Sequence, residues 1–244
     1  MGLEVFADYH DKDSTGHPSV DMSNLTIYGS IICPFVRRVL LVLAEKKIPY
    51  NFIGIDLINK PQWYLDMYPA GKVPYLKQGD KTLPESMVIA NYLDSIYPPT
   101  LHPVDPYEKA KGSLLIDEIT SPLFTPIRCL KDSSLSIEEK NKSITEMFTK
   151  LESIFSNIGT KFLQGNEKPL FSDYMVWPFL EMTIPISSWF SHPTINGVDS
   201  VCSAYPSTGS YMKNMMQDAI VQKVSPSYDT FTAYYDKYYR PKTD

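Results

Sequence analysis

The ten residues "YPPTLHPVDP", positions 97–106, carry four prolines and separate two stretches with different hydrophobic rhythm. Proline lacks a backbone N–H and pushes the residue before it towards extended backbone, so no regular element runs through this segment. Before it, residues 25–97 alternate strand and helix signals; beyond residue 107 the apolar spacing is helical and strand-like alternation nearly vanishes. The chain therefore reads as an N-terminal extension (1–24), an α/β domain (25–97), a linker (98–106) and an all-helical domain (107–244). With 244 residues and 43% apolar content, there is enough material to bury a substantial core.

Within 25–97, "LTIYG" (25–29) predicts a short buried strand. A helix follows from Pro34, with Val36, Val39, Leu40 and Leu43 at the i, i+3, i+4, i+7 spacing of one face. "YNFIGIDL" (50–57) predicts a second strand, "QWYLDMY" a helical turn, and "VPYLKQGDKTL" a hairpin turning at Gly79 and Asp80. A last helix spans 86–97. Only the first two strands have a helical crossover between them, so the sheet is mixed and helix-covered, in a thioredoxin-like order. In the second half, Ile137, Ile144, Phe148, Leu151, Phe155 and Ile158 align on one helical face. "DYMVWPFLEM", "TGSYMKNMMQDAIVQ" and the aromatic-rich "SYDTFTAYYDKYY" continue the helical pattern. Asp173 follows three residues after Leu170, which has no side-chain acceptor, so the cap expected there is half missing.

Composition narrows the function. A net charge of −5 with no basic stripe opposes nucleic-acid binding. The apolar run from Val39 to Ala44 is far short of the roughly 20 residues that span a bilayer. The first 24 residues carry early acids and no apolar core, and read as a flexible arm rather than a secretory signal. Cys33, Cys129 and Cys202 are too few for a disulfide scaffold and wrongly spaced for zinc, which fits a reducing, cytoplasmic setting. The four histidines are scattered, and no metal site is expected.

The chemistry concentrates at "SIICPFVRR". Proline is favoured at the first helical position, which makes Cys33 the N-cap before Pro34. There the sulfur faces unpaired N–H groups and the positive end of the helix dipole, and both favour thiolate over thiol. Arg37 and Arg38 add positive field. A dithiol redox motif needs a second cysteine three positions on, where this chain has Val36. A mixed disulfide on Cys33 therefore has no local resolving thiol, and a small external thiol must complete the exchange. Glutathione is the obvious candidate.

Together, "CPFVRRVLLVLAEKKIPY", "INKPQWYLDMYPAGKVPYL" and "PESMVIANYLDSIYP" resemble an omega-class glutathione transferase. The resemblance covers the first domain closely and the helical domain more loosely. It implies a glutathione-binding thioredoxin-like domain joined to an all-helical domain, usually in a homodimer. It implies that Cys33 forms mixed disulfides with glutathione and that Lys60 contacts the glycyl carboxylate. Val73, before a cis Pro74, would pair its backbone with the cysteinyl part; Glu85 and Ser86 would hold the γ-glutamyl end, where Ser86 also reads as a helix N-cap. Pro84 suits an edge strand or its end. For the acceptor site the expected residues are Phe124, Arg128, Trp177 and Tyr228. The activity implied is glutathione-dependent thiol transfer and dehydroascorbate reduction, with weak conjugation and no metal. Two other readings share the fold: a redox-regulated binding protein resembling the intracellular chloride channel proteins, and a carrier of apolar ligands.

Overall fold

The computed structural model describes residues 9–239, which form two compact units. One holds the chain up to Thr100 and takes back Lys223–Pro226; the other holds Leu101–Gln222 and continues from Ser227. The first contains β1 (Tyr9–His10), β2 (Leu25–Gly29), α1 (Pro34–Glu45), β3 (Tyr50–Ile55), α2 (Gln62–Met67), β4 (Tyr75–Gln78), β5 (Lys81–Pro84) and α3 (Ser86–Ile96). The sheet runs in the order β1-β3-β2-β4-β5. β2 and β3 are parallel, linked through α1, whereas β4 is antiparallel to both β2 and β5.

Two features differ from the reading of the sequence. The extension expected as a flexible arm supplies β1, parallel to β3 with Tyr9 opposite Gly54 and His10 opposite Ile55. It is fastened further by aromatic contacts: His10 and His17 stand edge-on to Trp63 at 5.6 and 5.2 Å, and His17 Nε2 shares a 2.7 Å hydrogen bond with the Tyr28 hydroxyl. These contacts join residues far apart in sequence, and a two-residue strand has no periodicity to read. The second difference is α1, which is buried beyond its expected face. Val36, Val39, Leu40, Leu41, Val42 and Leu43 are all 1% exposed or less, each burial worth about 1.5–3 kcal/mol. Gly29 allows this approach, because a Cβ there would lie 2.7 Å from Val36 Cγ2. Pro84 ends the edge strand β5, where its missing N–H is tolerated.

The end of α3 is fixed by a buried ion pair. Lys46 Nζ lies 2.8 Å from the Asp94 carboxylate, both side chains nearly inaccessible, and also donates to the carbonyls of Tyr97 and Pro99. Asp94 in turn accepts from Thr100 Oγ1 at 2.7 Å. Lys46 thus gathers the carbonyls around the cis Pro98–Pro99 step, where no helix continues.

The second unit is built from α4 (Pro106–Leu123), α5 (Thr125–Lys131), α6 (Ile137–Phe155), α7 (Phe171–Glu181), α8 (Thr183–Trp189), α9 (Val198–Ala204), α10 (Pro206–Met216), α11 (Ala219–Val224) and α12 (Tyr228–Tyr239), with the last residues of α11 returning to the first unit. Every residue of α7 is buried, so it is the axis around which this unit packs. α6 opens with a capping box: Ser136 Oγ accepts from Glu139 N–H, and the Glu139 carboxylate accepts from Ser136 N–H. Of its expected apolar face, Ile144, Phe148, Leu151 and Phe155 are buried, but Ile137 is half exposed in the first turn and Ile158 lies beyond the helix end. The single helix expected over 208–222 is two, because the Asp218 carboxylate accepts from the N–H groups of Ile220 and Val221 and starts α11 afresh.

Candidate active site

Cys33 is the N-cap of α1, in extended conformation (φ −74°, ψ 118°), with Pro34 as the first helical residue. Its carbonyl accepts from the N–H groups of Val36 and Arg37, and its own N–H closes a turn onto Ser30 O at 2.9 Å. Cys33 is partly exposed, whereas Cys129 is buried, which pushes its thiol up and disfavours the thiolate form. No two of the three cysteines are bridged. Arg37 and Arg38, expected to add field at Cys33, are themselves buried, with the Arg38 guanidinium 5.7 Å from the Phe35 ring centre.

Strand register decides what stands near Cys33. Tyr28 pairs with Tyr75, so the Val73–Pro74 step falls opposite the residues that follow β2. Tyr75 pairs with Pro84, so Glu85 falls beside the same step. The topology therefore gathers the Cys33 turn, Val73 and Glu85–Ser86 at one end of the sheet. This is the end at which the parallel strands finish, where open α/β sheets leave a crevice. Val73–Pro74 is cis, and Val73 makes no backbone–backbone hydrogen bond among the described residues.

Glu85 has φ +68°, a region that costs a non-glycine residue of order 1–3 kcal/mol. It also corrects the expectation for Ser86. Ile89 N–H bonds to Glu85 O, so Glu85 is the N-cap and Ser86 is the first helical residue, 4% exposed. The N–H groups of the first turn of α3 consequently have no carbonyl one turn back to pair with. Lys60 is carried on the turn after β3: the Asp56 carboxylate accepts from the N–H groups of Ile58 and Asn59, and Lys60 Nζ donates to Leu57 O at 2.6 Å. The sequence did not point to the neighbour of Glu85 here, Lys72, whose ammonium stands 3.9 Å from the Glu85 carboxylate, both exposed. Its place directly before Val73 was the available signal.

Of the four residues expected at the acceptor site, Trp177 is enclosed in the core. It is 1% exposed, a side chain of α7, because that helix is enclosed on every side. Phe124, at the α4–α5 junction, packs edge-on to Phe179 at 5.4 Å. Arg128 bonds to Thr125 Oγ1 at 2.9 Å and lines an open hollow of about 580 Å³ with Lys150 and Glu146. Tyr228, first in α12, is 39% exposed. Among the described residues no group of three His, Cys, Asp or Glu side chains is arranged to hold a metal, and no helix is long and apolar enough to cross a membrane.

Residues 27–103 match the family model described as the glutathione S-transferase N-terminal domain. Over 220 residues the chain is 32% identical to a probable glutathione transferase omega-2 of Caenorhabditis elegans, covering 86% of this chain and 83% of the relative. It is 29% identical to the glutathione S-transferase omega-1 of Rattus norvegicus over 235 residues, covering 93% and 91%. The crystal structure of glutathione transferase Omega 3C from Trametes versicolor superposes with a TM-score of 0.71 at 20% identity, covering 88% of this chain and 91% of that one, a likeness of fold. The thioredoxin-like unit followed by a helical one is thus the glutathione transferase fold, and the extent and identity of the sequence matches settle the class: this chain belongs to the omega-class glutathione transferases.

Proposed function

We propose that the protein is a glutathione-dependent thiol transferase and dehydroascorbate reductase that works through Cys33. The observation that carries this is a partly exposed cysteine at the N-cap of α1, with Val36 three positions on, at the sheet end that also holds Val73 and Glu85–Ser86. The helix N-terminus favours the thiolate, and the missing second cysteine dictates the order of events. Cys33 thiolate attacks the glutathione sulfur of a mixed disulfide, forming Cys33–S–SG and expelling the substrate thiolate, which takes up a proton. A second glutathione thiolate then attacks the glutathione sulfur of Cys33–S–SG; oxidised glutathione leaves and Cys33 thiolate returns. Dehydroascorbate takes the two electrons and two protons released when the Cys33 and glutathione thiols join as Cys33–S–SG, and leaves as ascorbate; a second glutathione then frees Cys33 as before.

In this reading residues 25–97 are the glutathione-binding domain. Glutathione lies along Val73 as an added extended strand, with Pro34 and Pro74 shaping the walls. Ser86 and the first turn of α3 hold its γ-glutamyl carboxylate, Glu85 accepts from its ammonium, and Lys60 turns from Leu57 O to the glycyl carboxylate. Phe124, Arg128 and Tyr228 remain candidates for acceptor contacts. The working form is a cytoplasmic homodimer, as the family resemblance implies. Conjugation of electrophiles is weak, because the glutathione sulfur delivered to Cys33 by disulfide exchange is held as Cys33–S–SG, which is not a nucleophile.

Mass spectrometry after treatment with oxidised glutathione tests the assignment. Cys33 should gain one glutathione, and Cys33→Ala should abolish deglutathionylation and dehydroascorbate reduction without unfolding the chain. Modification confined to Cys129 or Cys202, or full activity in Cys33→Ala, would sink it.

A further inference from the structure

The N-terminal extension does more than add an edge strand. Tyr9 on β1 reaches across the end of β3, and its hydroxyl oxygen accepts two hydrogen bonds, from Ile31 N–H at 3.1 Å and from Ser30 Oγ at 3.2 Å. Ser30 and Ile31 are the first two residues of the turn that Cys33 N–H closes onto Ser30 O. Ser30 is 2% exposed and Ile31 1%, so these bonds form inside the protein, where an N–H deprived of its acceptor is costly. The strand that carries Tyr9 is itself held: β1 pairs with β3, Asp56 N–H donates to His10 O at 3.0 Å, and His10 packs on Trp63.

We infer that Tyr9 is a positioning residue for Cys33: a hydroxyl from the N-terminal extension fixes the 30–33 turn and so holds Cys33 in place at the N-cap of α1. The inference rests on the proposed role of Cys33, since a turn needs this clamp only if its last residue must be aimed. Two bonds to consecutive residues fix both position and rotation of the turn, which a single contact does not. The Tyr9 phenol holds its proton more tightly than a free one. Burial raises it above its ordinary value, the bonds from Ser30 and Ile31 pull the other way, and charge on Cys33 and on Asp56 adds to the rise. A second negative charge beside the thiolate is thereby disfavoured.

Tyr9→Phe, which keeps the ring and removes only the clamp oxygen, tests this in the full chain. Two readouts separate aim from stability. The first is the rate of Cys33 alkylation by iodoacetamide at fixed pH, followed on the Cys33 peptide by mass spectrometry; it needs no glutathione. The second is steady-state deglutathionylation, resolved into kcat and KM for glutathione. Losing two hydrogen bonds should slow alkylation and lower kcat by about 2- to 30-fold, with KM for glutathione unchanged because Val73, Glu85 and Ser86 are untouched. Ser30→Ala, which removes one bond and leaves the ring packing alone, should give a smaller loss of the same kind, and carries the comparison should Tyr9→Phe fail to fold. Unchanged alkylation and kcat in the folded variants, or a loss confined to KM, would overturn the role of Tyr9 while leaving that of Cys33 intact. A wild-type Cys33 that resists alkylation would instead remove the thiolate reading, and this inference with it.

Discussion

Glu85 shows how a single residue can hold a conformation its own chemistry resists. Its φ of +68° places a Cβ where glycine alone is comfortable, and it does so at the N-cap of α3, beside the Val73–Pro74 step. Strain of this kind persists where the surroundings impose it, and it concentrates at binding sites. Glu85→Gly should therefore raise stability by about 1 kcal/mol, seen as a higher urea midpoint, while weakening retention on immobilised glutathione. Loss of stability with retention unchanged would mean that the carboxylate serves the fold and not the ligand. Asp173 is a different case. It is fully buried at the start of α7 and accepts from Leu163 N–H, Leu170 N–H and the Tyr211 hydroxyl. Its bond to Leu170 supplies the half of the cap that the sequence allows. Burial outweighs these donors and pushes its carboxyl up to about 6. A raised native value means that the folded chain keeps this proton when the unfolded chain has lost it. The contribution to stability is thus complete below about pH 4 and is lost as pH rises through about 6. The difference in unfolding free energy between wild type and Asp173→Asn should fall across that window in urea titrations; a difference independent of pH would contradict the assignment.

At the scale of elements, the end of α3 depends on one cation. Lys46 neutralises Asp94 and satisfies the Tyr97 and Pro99 carbonyls, so several partners lose their donor if it is removed. Lys46→Met should destabilise by about 3–5 kcal/mol, because it leaves a buried carboxylate without its counter-charge. Adding Asp94→Leu should recover much of that loss, since matched apolar groups often replace a buried pair at little cost. Equal destabilisation in the single and double variants, measured by thermal unfolding, would show that the carbonyl contacts rather than the ion pair carry the effect. The same element logic explains the N-terminus of α1. Pro34 starts the helix and leaves Cys33 outside it, and Gly29 lets α1 sit against β2 closely enough for Val36 to be fully buried. The cysteine is thereby tied to the most buried helix of its unit.

For the whole molecule, the sequence by itself determined the class of fold and singled out the cysteine on which the proposed chemistry rests. The strand–helix order before the prolines and the helical spacing after them are local signals, set by which residues can share a face within a few turns. Cys33 before Pro34, and Val36 in place of a second cysteine, are local too. Ile137 and Ile158 mark the limit of such signals, since periodicity does not say where a helix meets solvent or ends. Only tertiary structure decided that Tyr9 and His10 join the sheet and that Trp177 belongs to a core. It alone buried Arg37 and Arg38, placed Glu85 in a strained cap and sealed Lys46 against Asp94. The physical reason is common to them all: each is settled by a partner distant in sequence, through strand register, enclosure or charge. A chain read a few residues at a time names the groups able to react, while the packed chain fixes where they stand.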